Sequence, residues 1–413
     1  MDPFPAFLAA IILVSLIIPK LGPFLSLNVS AIAFSLLVGM SGQELLGYLA
    51  TGLSRIFSAL AVVVFSGALL AEYLRRTESL GRILADLRGL AGQRLLVSGA
   101  AGYLISLPVM CSITAYMILQ PVVSGLAGKS GAEERRALFM TAVCSIISFN
   151  LIYPSPVMIT LSASLPAPPY ELLMRAVPVS LALFALAYLF MDRLMPDLMT
   201  PALPEKDEPQ ERGAPAGISR TRAWAPLLLP LLLIFSGSLQ KEAGILADPG
   251  IALLLGALLG LALEREKMQE LIHVASRRAG VILLDLCAAG AFGYVAMQSG
   301  LSQEIYHLGQ FLPALLLPFL VSAALQLAQG SRVVTAAVSS QILVGYPLPG
   351  VTLALLIAAG AFMFSYVTDP YFWLIKSSTG ASMKQTALGY TLPLSLLGLA
   401  AYAMAVISSI LWN

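Results

Sequence analysis

Two ionisable residues stand inside long apolar stretches of this chain. Arg332 lies in Gln329-Gly330-Ser331-Arg332-Val333-Val334-Thr335, and Asp369 lies in Ser365-Tyr366-Val367-Thr368-Asp369-Pro370. At a bilayer centre such a charge costs at least about 2.5–3.5 kcal/mol on insertion scales, so it needs a partner or a task. The planar fork of arginine matches a carboxylate bidentately. Arg332 therefore receives a substrate carboxylate, pairs with an acid, Asp285 or Asp369, or lies at the membrane interface after all. Asp285, early in the run Val281-Ile282-Leu283-Leu284-Asp285-Leu286, is a coupling carboxylate or that partner. Asp369 precedes Pro370, which removes a donor and disfavours helix at the residue before it. It either caps the helix that follows or carries a coupling proton or sodium.

Around these charges the sequence places small and polar residues. Gly330 permits a tight bend, and Ser331 and Thr335 stand one helical turn apart. Pro108-Val109-Met110-Cys111-Ser112-Ile113-Thr114 marks a similar turn earlier, with Ser112 and Thr114 as its polar candidates. Ser148-Phe149-Asn150-Leu151-Ile152-Tyr153-Pro154-Ser155-Pro156 must break a helix at its prolines, so Ser148, Asn150 and Ser155 would line the opening. Substrate binding is expected from Ser112, Thr114, Ser148, Asn150, Ser155, Gly330, Ser331, Arg332, Thr335 and Thr368. Coupling is expected from Asp285 and Asp369, with a sodium site near Asn150, Thr368 and Asp369. No catalytic residues, cofactor or structural metal are expected. The two histidines, His273 and His307, form no zinc motif, the three cysteines lack ligand spacing, and no phosphate-binding loop is present.

These residues need elements that hold polar groups inside a membrane. The 413 residues are 58% hydrophobic and only 11% charged, too apolar for a soluble surface. The pattern is that of an all-α integral membrane protein, and alternating barrel strands are absent from it. About ten full spans are expected: 4–20, 26–42, 54–74, 137–164, 172–192, 223–240, 249–263, 279–297, 351–379 and 385–411. Of these, 137–164 and 351–379 are broken helices. Two interrupted stretches, 96–127 and 311–345, read as re-entrant hairpins. With both termini outside, the cytoplasmic loops collect 20 of the 24 Lys and Arg and the outside loops three, as the positive-inside rule requires. The net charge of +2 offers nothing to nucleic acid.

The polar stretch 193–222 reads as a cytoplasmic linker between two halves, 1–192 and 223–413. An odd number of spans precedes it, so the halves cross the membrane in opposite senses. They also share landmarks in order: Ser66-Gly67-Ala68 with Ala289-Gly290-Ala291, Cys111-Ser112 with Gly330-Ser331, and Ser148-Phe149-Asn150 with Val367-Thr368-Asp369. An inverted repeat with broken helices is a secondary-transporter architecture, with its site near the midplane. The expected function is movement of a small organic anion across the plasma (inner) membrane. A sodium/proton antiporter is the alternative; a channel or an intramembrane enzyme fits the motifs less well.

Leu327-Ala328-Gln329-Gly330-Ser331 resembles the Ala-Gln-Gly-Ser segment of gluconate permeases. Thr368-Asp369-Pro370-Tyr371-Phe372-Trp373 resembles their Asn-Asp-x-x-Phe-Trp segment, and Asn150 to Pro156 their proline-rich broken helix. The stretch from Gly290 to Gly300 also fits. In order, these segments resemble the gluconate permease and citrate transporter branches of the ion transporter superfamily. That resemblance implies paired hairpins, elevator-type alternating access, a homodimer, and proton- or sodium-coupled symport of a carboxylate or sugar acid. The first-half motif departs from it, with Tyr153-Pro154-Ser155-Pro156 where the gluconate permeases have consecutive prolines, and so do three residues of the second half. Arg332 stands where the gluconate permeases have a small residue, Thr368 replaces their Asn, and Pro370 replaces a small polar residue.

Overall fold

A chain in lipid must satisfy its backbone N–H and C=O groups internally, and a helix does so within one segment. The computed structural model describes residues 2–77, 79–91, 93–126, 131–195, 218–239 and 244–411, and among them the regular structure is helical throughout. The middle of the expected linker, 196–217, lies outside the described residues. The helices are α1 (Pro3–Val38), α2 (Gly42–Arg76), α3 (Ser79–Ala91), α4 (Arg94–Val109), α5 (Ser112–Leu126), α6 (Gly131–Leu151), α7 (Pro156–Ser164) and α8 (Pro169–Leu189). Beyond the linker come α9 (Arg220–Leu239), α10 (Pro249–Leu263), α11 (Met268–Gln298), α12 (Leu301–Leu308), α13 (Leu316–Gln329), α14 (Arg332–Ile342), α15 (Gly350–Gly360) and α16 (Pro370–Thr379). The last, α17 (Met383–Leu411), carries a π-helical turn at Ala387–Thr391.

α1 is two legs rather than one rod. Gly22 leaves helical geometry with φ 73°, and Pro23 follows it. The rings of Phe7 and Phe34 then meet edge to face at 6.1 Å. A straight helix would hold them about 40 Å apart. The chain therefore reverses at Gly22, and the legs correspond to the expected runs 4–20 and 26–42. By length and composition, six helices among the described residues can cross a membrane: Pro3–Val38, Gly42–Arg76, Gly131–Ser164, Pro169–Leu194, Arg265–Gln298 and Met383–Leu411. The expected ten counted the legs of α1 separately and added α9, α10 and the broken α15–α16 pair.

α2 and α11 form the central crossing and run antiparallel. Tyr48 meets Tyr294 near one end, and Arg76 pairs with Glu270 at the other. Between them a Cβ on Gly52 would stand 2.4 Å from the Gly290 carbonyl oxygen, so only glycine allows the approach. Such small-residue contacts let helix backbones pack without apolar driving force in lipid. Glu72, fully buried, receives Arg75 and Arg76 of its own helix and Arg278 of α11 at 3.3 Å. Outside the spans, Asp86 of α3 accepts from Arg220 Nε at 3.0 Å and Trp224 Nε1 at 3.1 Å. Burial alone would raise the Asp86 pKa, but these hydrogen bonds outweigh it and hold the carboxyl below its ordinary range.

Two helix pairs fold back through left-handed residues. α4 turns into α5 at Met110 (φ 55°), and α13 turns into α14 at Gly330 (φ 73°). Two helices break where the prolines fall. α6 stops at Leu151 and α7 resumes at Pro156, with Ser155 Oγ accepting the Met158 N–H at 3.2 Å. α15 stops at Gly360 and α16 resumes at Pro370.

Candidate functional site

The second fold-back meets the second break. A Cβ on Gly330 would lie 2.2 Å from the Thr368 carbonyl oxygen, so the tip of α13–α14 rests directly on the strand of chain between α15 and α16. Thr368 fastens the contact: its Oγ1 donates to the Leu327 carbonyl at 2.8 Å. Arg332, the first residue of α14, is thereby aimed at Asp369, the N-cap of α16.

The resulting cluster is buried, with the side chains of Arg332 and Asp369 only 4% and 1% exposed. Both terminal nitrogens of Arg332 donate to the same oxygen, Asp369 Oδ2, at 3.3 Å. One of them, Nη2, also donates to Ser365 Oγ at 2.6 Å and to the Tyr390 hydroxyl at 3.3 Å. The Tyr390 hydroxyl donates in turn to Asp369 Oδ2 at 2.8 Å. The other carboxylate oxygen, Oδ1, caps α16 by accepting the Tyr371 N–H at 2.9 Å. This is an ion pair without the parallel two-bond fork an arginine can make. Arg332 Nε, buried, has no hydrogen-bond partner.

Around the pair stand aromatic rings. Tyr371 lies 5.6 Å from Tyr390 and 5.5 Å from Tyr116 of α5. Its hydroxyl shares a hydrogen bond with Ser145 Oγ of α6 at 2.9 Å. The second break is thus wedged against helices from before the linker.

Arg332, Thr335 and Ser339 recur at one-turn spacing on α14, so they share a face. Thr335 is held within its own hairpin, donating to Gln326 Oε1 at 3.0 Å and accepting from Gln329 Nε2 at 3.2 Å. Ser339 Oγ is buried without a partner, as is Gln326 Nε2. Ser331, half-buried, is the N-cap of α14 but makes no side-chain capping bond. The first N–H groups of α14 are therefore left for another acceptor.

The remaining expected residues lie elsewhere. Asp285 does not meet Arg332: its Oδ1 accepts the Phe24 N–H at 3.0 Å, where the second leg of α1 begins. Asn150 reaches across the linker divide, with Nδ2 donating to the Ala358 carbonyl of α15 at 2.7 Å, while its Oδ1 is unpartnered. Ser148 donates to its own helix, at the Ser145 carbonyl, 3.4 Å away. Ser155 is spent on the α7 cap. Ser112, buried, begins α5, and the Thr114 N–H is accepted by Cys111 Sγ at 3.5 Å. Asn150, Thr368 and Asp369, expected around sodium, are each engaged with a different protein partner. Among the described residues no group of three His, Cys, Asp or Glu could hold a metal ion.

Tyr390 and Ser365 belong to the cluster and were absent from the sequence-based set. Ser365 sits four residues before Asp369, and an unwound stretch could have suggested it. Tyr390 offered no local signal; a π-helical turn in α17 presents it.

The model of the GntP family permeases matches residues 5–411, nearly the whole chain. The chain belongs to the GntP permease family. It is thus an integral, multi-pass membrane transport protein rather than an enzyme. Among similar proteins is a low-affinity gluconate transporter of Escherichia coli K12, 25% identical over 92% of this chain and 91% of that protein. A gluconate permease of Zymomonas mobilis is 23% identical over 95% of each. An uncharacterized permease of Haemophilus influenzae is 24% identical over 98% of this chain and 91% of that one. Among solved structures, the Alcanivorax borkumensis YdaH transporter superposes with a TM-score of 0.61 at 17% identity. That match covers 88% of this chain and 89% of that one, a likeness of fold.

Proposed function

We propose that this GntP permease is a secondary active transporter of a small sugar acid, with its site where the α13–α14 tip meets the α15–α16 break. The observation that carries this reading is Arg332, buried at a helix N-terminus with an unpartnered nitrogen and an uncapped first turn beside it. A cation and free backbone donors at one spot suit a carboxylate. Along the same face of α14, Thr335 and Ser339 suit the hydroxyls of a polyol chain. Relatives that carry the word gluconate in their names agree with that chemistry.

The same proposal includes an inverted repeat. The fold-back, break and reversal of the first half recur in the second, and α2 and α11 cross antiparallel as a two-fold axis in the membrane plane would require. It includes elevator-type alternating access, proton or sodium coupling, a homodimer, both termini outside and the segment 193–222 in the cytoplasm. The sodium/proton antiporter reading is less favoured because a sodium ion at Asp369 would face the positive charge of Arg332, 3.3 Å from that carboxylate.

Uptake of radiolabelled gluconate into proteoliposomes, with and without an imposed ion gradient, tests this reading. Accumulation above equilibrium, competed by other sugar acids, is expected. Gluconate-independent sodium efflux driven by a proton gradient would favour the antiporter instead.

A further inference from the structure

We infer that Arg332 and Asp369 form a proton-for-anion exchange pair, in which Asp369 occupies the arginine until it is protonated and the substrate carboxylate then takes its place. This rests on the transporter reading above and specifies how the same site is coupled.

The geometry supplies three reasons. First, both terminal nitrogens of Arg332 converge on one oxygen, Asp369 Oδ2. A proton on that oxygen removes both charge-assisted bonds at once and leaves the guanidinium unpaired. Second, protonation need not unfold the break. Asp369 caps α16 through its other oxygen, Oδ1, and that bond to the Tyr371 N–H survives in the neutral acid. Third, the freed guanidinium has somewhere to turn. Nε is already without a partner, and the first turn of α14 is uncapped by Ser331. An incoming carboxylate finds a two-nitrogen edge of the fork beside free N–H groups.

The groups facing Asp369 are few. They are Arg332 from α14, Tyr390 from α17 and Tyr371 from its own helix, with Tyr116 of α5 behind Tyr371. Among the described residues, Arg332 is therefore the one fixed charge that a change on Asp369 must answer.

Charge balance follows. The empty pair, guanidinium with carboxylate, is neutral. Adding one proton to Asp369 and one substrate carboxylate to Arg332 leaves it neutral again. Both the empty and the loaded carrier then cross the low-dielectric interior without net charge, which a membrane favours. Release reverses the order: the proton leaves Asp369, the carboxylate reclaims Arg332, and the substrate is expelled. One proton moves per monocarboxylate, with no current. Asp369→Asn alters this predictably. Its empty site is positive and its loaded site neutral, so substrate moves alone, carrying its negative charge.

The experiment has two arms on purified full-length protein. In proteoliposomes, gluconate movement is driven either by a pH gradient or by a potassium-diffusion potential. Wild type is expected to accumulate gluconate with the pH gradient and to ignore the potential. Asp369→Asn is expected to lose the pH-driven accumulation and to respond to the potential instead. Arg332→Lys keeps the charge but not the fork and should raise the gluconate KM about tenfold. Retention of pH-driven accumulation by Asp369→Asn overturns the proposal. Absence of gluconate movement in wild type as well overturns the substrate reading, and the second arm then decides the pair without substrate. Hydrogen exchange of the α13–α14 tip, residues 327–338, is compared between wild type and Asp369→Asn at one pH. Release of Arg332 should speed tip exchange at least about threefold, with α2 and α11 unchanged. Equal tip exchange in the two proteins would overturn the exchange pair.

Discussion

The two broken helices share a construction and differ in chemistry. In the first, residues 151–155 are buried throughout, Ser155 caps the outgoing half, and the nearby polar contact, Asn150 to the Ala358 carbonyl, is neutral. In the second, the cap is an acid that also holds an arginine, and Phe364, Tyr366 and Val367 of the same stretch are exposed. The fold-backs differ likewise. Met110 turns the first against α2, where a Cβ on Gly67 would press into the Met110 side chain, whereas Gly330 turns the second onto the break itself. One half uses its break to join the bundle. The other keeps a charge at its break, which only a function or a partner justifies inside a membrane.

The comparison is broken most violently at Gly330. Gly330→Ala sets a Cβ against the Thr368 backbone and forces a left-handed residue. A loss of more than about 4 kcal/mol is expected, seen as little folded protein in detergent thermal melts. Alanine at Gly67 would press on Met110 Cγ and Cβ and approach the Val109 carbonyl oxygen at 3.1 Å, but Gly67 is not left-handed, so the loss should be smaller than at Gly330.

Arg332→Ala comes next. It strands Asp369 in the interior, at about 3–5 kcal/mol, and abolishes gluconate-driven stabilisation. Adding Asp369→Asn removes the stranded charge and should restore most of the thermal stability without restoring binding. Additive losses in the double variant would mean that the two residues do not act as a pair. Tyr390→Phe deletes the hydrogen bond to Asp369 Oδ2 and the longer one from Arg332 Nη2, and should cost about 1–2 kcal/mol in the same melts, with transport retained.

The smallest effect belongs to Asp285→Asn. Asparagine still offers an oxygen to the Phe24 N–H, so stability should change by less than about 0.5 kcal/mol and gradient-driven uptake should be normal. Loss of coupling in this variant would move the proton-carrying role from the second break to α11.

Much of this contrast was legible in the sequence, because backbone breakers act locally. Pro154 and Pro156 announced one break, Pro370 the other, and Gly330 one of the two turns. Arg332 and Asp369 announced themselves by charge in apolar surroundings. Their pairing was not legible, since Asp285 was an equal candidate and the choice depends on which helices touch. The Asp285 partner is a backbone N–H 261 residues away, with no sequence signature at all. Tyr390 lies 21 residues beyond Asp369 in a helix apolar on every side, so its face could not be assigned from periodicity. The turn of α1 was readable as a gap between two runs, but its tightness depends on one glycine.

The most direct measurement of where the anion sits is substrate protection at the two tips. Single cysteines at Ser331→Cys and Thr114→Cys, in a background lacking the three native cysteines, are labelled with a maleimide in the presence and absence of gluconate. Both positions are half-buried. The account predicts that gluconate slows labelling at 331 several-fold and leaves 114 unchanged. Protection at 114 with none at 331 would place the substrate at the first fold-back and contradict it.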